Sequence, residues 1–258
     1  MKLQRITLVL FTLVFFTAHA SAQWFSDPSG ILDEGAFRAD LSFSLNETDY
    51  ELKDAGLRLD IPVERQILGV TLAYGISDAV DVFLAAGLIL DAEPQIRDDD
   101  LRWRDSGDGY LLSAGARGVL YRQDQFSLMG YGYVQHIDED YGRLRDEYDF
   151  FIETTRLEAD RTELALGVLG RYDVTEEFHV YAGLEVILVD DGDLNVKFTE
   201  ENLVTEDVFR ERVTFDMDRD DILTARAGAA YQAGNALLRA EYAFLGEETL
   251  TVGVGINF

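Results

Sequence analysis

Cysteine is absent from this 258-residue chain, so it carries no disulfide, no thiol chemistry and no lipid-anchored cysteine. Apolar runs long enough for a membrane helix are absent too. Beyond residue 22 the longest, Val82–Leu90 and Tyr110–Tyr121, are broken by glycine or polar residues, whereas a helical span needs roughly 20 apolar residues. The three prolines, Pro28, Pro62 and Pro94, are expected outside strand cores, where ladder hydrogen bonding excludes them. Bases are scarce: 22 Lys and Arg stand against 49 Asp and Glu, a net charge of −27. Such a polyanion excludes nucleic acid as a partner. There is no His/Cys cluster for zinc, no glycine-rich phosphate loop and no serine in a nucleophile elbow.

What the chain does contain begins with a targeting segment. Lys2 and Arg5 precede the apolar stretch Ile6–Phe16, and Ala20-Ser21-Ala22 supplies a small-x-small cleavage pattern, so residues 1–22 read as a cleaved signal peptide. Residues 23–35, with Trp24, Phe25 and Pro28, are expected as a periplasmic leader hanging below the main domain, residues 36–258.

That domain alternates with a period of two, which strands use and helices do not. In Leu250–Phe258 every even position is apolar and every odd one small or polar. Ten strands are predicted: Phe37–Asn46, Gln66–Ile76, Val82–Asp91, Tyr110–Tyr121, Phe126–His136, Glu163–Tyr172, Phe178–Val189, Ile222–Tyr231, Ala236–Phe244 and Glu248–Phe258. Each approaches the ~9–11 residues of a tilted membrane strand. Short turns such as Ser77-Asp78-Ala79 and Gln232-Ala233-Gly234-Asn235 alternate with long acidic connections, Glu47–Arg65, Ala92–Gly109, Ile137–Thr162 and Asp190–Asp221. The alternation in Arg212–Asp218 predicts that some strands continue beyond the membrane. Aromatics gather at the short-turn ends (Tyr74, Tyr121, Phe126, Tyr172, Phe178, Tyr231, Phe258), as in a girdle at one bilayer interface. The fold expected is all-β, a transmembrane antiparallel up-and-down barrel of about ten strands.

On these features, the signal ending Ala20-Ser21-Ala22, the hairpins and the terminal Val254-Gly255-Ile256-Asn257-Phe258, the chain resembles the bacterial outer-membrane β-barrels, in particular the small OmpA- and Opa-like ones with acidic outer loops. The resemblance implies an outer-membrane location among lipid and lipopolysaccharide. It also makes Val254, Ile256 and Phe258 the signal read by the barrel-assembly machinery.

If the apolar parity faces lipid, the opposite parity lines the lumen. It holds Arg38, Asp40, Arg117, Glu163, Arg171, Glu185, Arg226, Arg239 and Glu241, with Ser42, Ser44, Thr71, His179 and Tyr181. Five arginines and four carboxylates leave that wall nearly neutral, as low dielectric demands. A structural network filling the barrel is the favoured reading. Inward glycines (Gly69, Gly87, Gly115, Gly167, Gly183, Gly228, Gly253, Gly255) leave space and sustain the alternative, a narrow diffusion channel.

Catalysis has one slender candidate. His136-Ile137-Asp138 puts two titratable side chains on one face of a strand end and resembles the Asp/His pair of the omptins, ten-stranded outer-membrane proteases. The order is reversed, and no second Asp pair stands on a strand end. No catalytic or metal residue is therefore assigned. Asp190-Asp191-Gly192-Asp193-Leu194-Asn195 lacks the EF-hand spacing and its bidentate Glu, so nothing beyond loose Ca²⁺ or Mg²⁺ binding at the acidic loops is expected, and no other cofactor. The sequence leaves the oligomeric state open. Its reading is a non-enzymatic barrel with a structural or surface-interaction role through acidic outer loops, a porin-like channel being the alternative and an omptin-like rim hydrolase a third. Deleting Phe258 should cripple assembly, seen as loss of the heat-modifiable folded band in outer-membrane fractions; normal insertion without it would refute the barrel reading.

Overall fold

In the computed structural model the described residues are 30–54, 57–94, 107–147, 151–202, 204–205 and 207–258. The signal peptide and leader residues 23–29 lie outside them. Eleven antiparallel strands form one sheet: β1 Phe37–Asp54, β2 Leu57–Ser77, β3 Val80–Pro94, β4 Gly107–Gln123, β5 Phe126–Glu147, β6 Phe151–Asp173, β7 Phe178–Asn202, β8 Val208–Arg219, β9 Leu223–Ala233, β10 Ala236–Phe244 and β11 Glu248–Asn257. No described helix is long and apolar enough to cross a membrane.

Ten strands close the ring at membrane level. β7 pairs with β9, skipping β8, and β11 pairs with β1 from Arg38↔Asn257 to Glu47↔Glu248. Beyond the chain's last strand, Phe258 and Phe37 exchange backbone hydrogen bonds of 2.8 and 3.3 Å. Closure follows from the solvent, because an unpaired strand edge in hydrocarbon leaves backbone groups without any partner.

The eleventh strand corrects the sequence reading. β8 lies inside the expected loop Asp190–Asp221, pairs with β7 over Asp193–Glu201, and reaches β1 at Tyr50↔Arg219 to Lys53↔Asp216. It stands above β9, β10 and β11, the shortest strands of the ring at 11, 9 and 10 residues. Above their ends one strand replaces three. The other long connections are likewise mostly strand: β1 and β2 run on to Asp54 and Leu57, and β5 and β6 to Glu147 and Phe151. Acidic composition suggested loops. The alternating apolar residues Tyr50, Leu52, Leu157, Leu194 and Met217, all buried, are what hold these segments as strand. Pro62 falls inside β2, against expectation. It sits where β2 has outrun β3, whose last residue Pro94 pairs with Val63, so it occupies an edge that proline tolerates.

Two faces result. Leu41, Val70, Leu72, Leu84, Leu88, Leu112, Leu120, Val134, Leu166, Leu184, Leu238 and Val254 are exposed on the outside, and the seven girdle aromatics are exposed at the short-turn end. An apolar wall this continuous is not stable against water.

Leader residues 30–35 do not hang free. Leu32 is buried in the short-turn mouth, and its amide donates to Asp81 Oδ2 at 3.2 Å. Gly35 N donates to Gly75 O at 2.9 Å and Gly75 N to Ala36 O at 3.0 Å. A Cβ on Gly75 would collide with the Asp33 carbonyl. Gly75→Val should therefore eject residues 30–36 from the mouth while the barrel stays folded, read as new proteolytic cleavage there with an unchanged heat-modifiable band.

Candidate functional site

The lumen is the only region where this chain concentrates buried chemistry among the described residues. Strand parity carries seven arginines (Arg38, Arg65, Arg117, Arg161, Arg219, Arg226, Arg239) and seven carboxylates (Asp40, Asp81, Glu139, Glu163, Glu185, Glu241, Glu247) into it, each no more than 6% exposed. The interior is thus formally neutral in a protein of net charge −27. Apolar side chains from β2 to β6, including Ile67, Phe83, Ile89, Leu111, Met129, Ile137 and Leu169, complete the filling. Parity missed these because β3 is apolar on both faces and β5 is ambiguous.

The charges form three tiers. At the short-turn end Arg117 grips Asp81 through Nε at 2.6 Å and a terminal nitrogen at 2.9 Å, and Arg38 Nε donates to Asn257 Oδ1 at 2.6 Å. Asp40 and Arg239 lie in the same region over glycines of β11: a Cβ on Gly255 would strike Asp40, and one on Gly253 would stand 2.7 Å from Arg239 Nε. In the middle tier Arg226 bridges Glu185 at 2.8 Å and Glu241 at 3.2 Å. The Tyr133 hydroxyl donates to Glu185 at 2.9 Å, and the Arg226 guanidinium lies 5.7 Å from the Tyr131 ring centroid.

The upper tier lies above the apolar wall. Arg65 grips Glu139 in a bidentate pair and donates to Asn46 Oδ1 at 2.8 Å. Arg161 meets Glu163 at 3.2 Å, and Arg219 meets Glu247 at 2.6 Å and Glu163 at 3.8 Å. Tyr50 is shared by two guanidiniums, Arg161 at 4.3 Å and Arg65 at 5.1 Å from its centroid. Burial by itself would push Glu139 up, but the Arg65 guanidinium and the Tyr141 hydroxyl hold it below the ordinary glutamate value. The space enclosed here by Asn46, Tyr50, Arg65, Gln135, Glu139, Arg161 and Glu247 is about 20 Å³, room for about one water.

Of the nine lumen residues marked in the sequence, eight are buried inside: Arg38, Asp40, Arg117 and Arg239 in the lower tier, Glu185, Arg226 and Glu241 in the middle, Glu163 in the upper. Arg171 stands apart at the mouth, paired with Asp173 at 2.6 Å. Six partners were missed. Asp81 shares parity with Gly87, and Arg65 with Gly69, so inward glycines were a usable signal. Glu139, Arg161, Arg219 and Glu247 lay in segments read as ambiguous or as loop. The glycines themselves do not open a passage. Phe83 fills the space over Gly115, Tyr131 that over Gly167, and Tyr181 that over Gly228.

His136 and Asp138 face outward. His136 Nδ1 lies 3.3 Å from Thr162 Oγ1 and 3.8 Å from Asp160, with its ring beside Tyr110. The two residues do not line the lumen or meet another inward polar group. Asp190, Asp191 and Asp193 lie on strand β7, split between its faces, with Asp190 turned to the Arg219 amide at 2.6 Å; their oxygens do not converge. Val254, Ile256 and Phe258 are exposed on the outer face of the closing strand.

No family model matches the chain, and no curated protein matches it. Solved structures do. The outer-membrane protease OmpT from Escherichia coli aligns at a TM-score of 0.52 and 12% identity, over 86% of this chain and 97% of that one. An outer-membrane channel from Pseudomonas putida F1 aligns at 0.48 and 12%, over 92% and 100%. OprG from Pseudomonas aeruginosa aligns at 0.44 and 16%, over 89% and 98%. The fold is that of the bacterial outer-membrane β-barrels. With its apolar wall and aromatic girdle, the barrel is placed in the outer membrane. Barrels of this fold include proteases, channels and other proteins, so the fold leaves the activity open.

The middle tier makes its own test. Arg226→Met leaves Glu185 and Glu241 buried without their cation and should cost about 3–5 kcal/mol, lowering the urea midpoint of unfolding from vesicles. Adding Glu185→Gln and Glu241→Gln should recover most of that loss, because the uncompensated charges go with them.

Proposed function

We propose that this barrel is non-conducting and non-enzymatic, and that it acts through the surface hairpins that stand outside the membrane. The observation that carries the reading is the filled lumen. Seven buried arginines and seven buried carboxylates occupy three successive tiers, and Leu32 is buried in the short-turn mouth. An ion moving through would have to break buried pairs, each break costing several kcal/mol. The outward placement of His136 and Asp138 supports the non-enzymatic half, since an outer-wall pair at the lipid boundary meets no aqueous substrate cleft.

What remains for interaction is the part above the membrane, where β5, β6 and β7 extend well beyond the residues needed to span a bilayer and β8 pairs with β7. Its acids are numerous, its edge strands are paired, and its rigidity suits a scaffold or an adhesive surface.

Planar-bilayer recording tests this directly. The folded full chain should add no discrete conductance steps. Gly75→Val, which frees the leader, should be equally silent, because the middle and upper tiers remain. Steady unitary steps from the full chain would overturn the proposal in favour of a narrow diffusion channel. Steps from the Gly75→Val protein alone would make the leader, and not the ion pairs, the barrier.

A further inference from the structure

The register of the outer hairpins sorts charge into rows. On the first row beyond the apolar wall, Asp138, Asp160, Asp193 and Asp216 stand opposite one another across β5, β6, β7 and β8, and Lys53 of β1 follows Asp216. The next row reads Asp140, Glu158, Asn195, Thr214. The row above it reads Arg143, Arg156, Lys197, Arg212, and Arg145 and Arg210 sit one row higher, separated by Thr154 and Thr199.

Like charges directly opposite on neighbouring strands are destabilising, because their Cβ atoms lie only ~4.5–5.5 Å apart. A chain with 22 bases and 49 acids nevertheless places three described cations, Arg156, Lys197 and Arg212, side by side in one row. The carboxylates beneath do not balance them. Arg156 pairs with Asp140 and, at 3.3 Å, with Glu158, and Lys197 also turns to Glu158. Among the described residues Arg212 meets only the neutral Asn195 oxygen, at 2.6 and 3.1 Å. Arg156 and Lys197 keep about two fifths of their side chains accessible, at 40% and 39%, and Arg210 and Arg212 are exposed.

We propose that this cationic row on the outer face of the β5–β8 hairpins binds phosphate groups carried by the lipid-linked saccharides of the outer leaflet. Arginine forks suit phosphate oxygens. The height selects which phosphates: Arg156 lies four residues along β6 beyond Asp160, roughly 10 Å farther from the apolar wall for a tilted strand. The aspartate row repels phosphates at the sugar–acyl junction, so the site is directed at the saccharide core above it. A lipid-linked ligand is favoured over a free one for two reasons. The row stands on the same wall that the lipids already surround, which raises their local concentration, and a free polyanion would be repelled by the net charge of −27. The assignment does not depend on whether the lumen conducts.

The test uses the detergent-solubilised full chain, folded by heat-modifiable mobility, titrated with lipopolysaccharide bearing a phosphorylated core. Arg156→Gln combined with Lys197→Gln and Arg212→Gln should weaken binding about tenfold, three exposed charge contacts together amounting to one decade. The same triple change should leave binding of core-less lipid A unaltered. Asp140→Asn with Glu158→Gln, which removes competing acids, should tighten binding of the core-bearing lipid. An unaffected triple variant, an equal loss toward lipid A, or weaker binding after removing the two acids would each overturn the site. Delipidated phosphorylated core binding as tightly as the intact lipid would overturn the lipid-linked assignment in favour of a soluble anionic saccharide.

Discussion

Guanidinium groups can be buried inside a lipid-embedded cylinder only where carboxylates are buried with them, since neither water nor lipid there can compensate the charge. Equal numbers of the two fill this lumen, and much of the interior is arranged around that requirement. Glycines on β6, β9 and β11 give up their own side chains so that Tyr131, Tyr181, Arg239 and Asp40 have somewhere to lie. Tyr133 and Tyr141 donate to the carboxylates that the arginines leave partly satisfied. Removing one member of a tier would strand its partner, so the network resists piecemeal change more than an apolar filling would.

The upper tier also solves a topological problem. Where β9, β10 and β11 end, the wall would gape between β7 and β1. β8 covers the opening, and Ile187 N donates to Ile222 O at 2.9 Å while Asp220 N donates to Asp49 O at 3.1 Å along the seam. The tight β10–β11 turn, with Leu245 and Gly246 both at positive φ, directs Glu247 inward onto Arg219, the last residue of β8. The Arg219–Glu247 ion pair therefore ties β8 to the hairpin below it. Outside, the same register that closes the sheet lines acids and bases into rows, so charge that looks scattered along the chain is banded on the surface.

Much of this was readable beforehand because membrane strands advertise themselves twice, by alternation and by length. The ten membrane strands, the aromatic girdle and the inward positions of eight marked lumen residues all follow from parity. Parity fails where both faces are apolar, which hid Asp81 of β3 and left Tyr133 of β5 unassigned, and Glu139 fell in a segment read as loop. It also fails when acid is taken as a sign of loop. Val208–Arg219 is rich in charge, yet Phe215 and Met217 on its inner face are enough to hold it as strand against the buried tier. The leader was misjudged for a related reason: nothing in Gly30–Ala36 announces that Leu32 will find a hydrophobic seat and an Asp81 acceptor in the barrel mouth.

By itself the sequence determined the solvent this protein folds in. A period-two pattern with one oily face and no apolar helix is compatible with a closed sheet in lipid and little else, because alternation constrains backbone pairing locally. Which charge meets which was decided only by the tertiary structure. Ion pairs such as Arg65–Glu139 and Arg226–Glu185 join residues 74 and 41 positions apart, and their meeting depends on the shear and closure of the whole ring. A shift of one residue in a single strand pairing would turn that strand's charges toward lipid, so the neutral interior is a property of the assembled register and not of any segment within it.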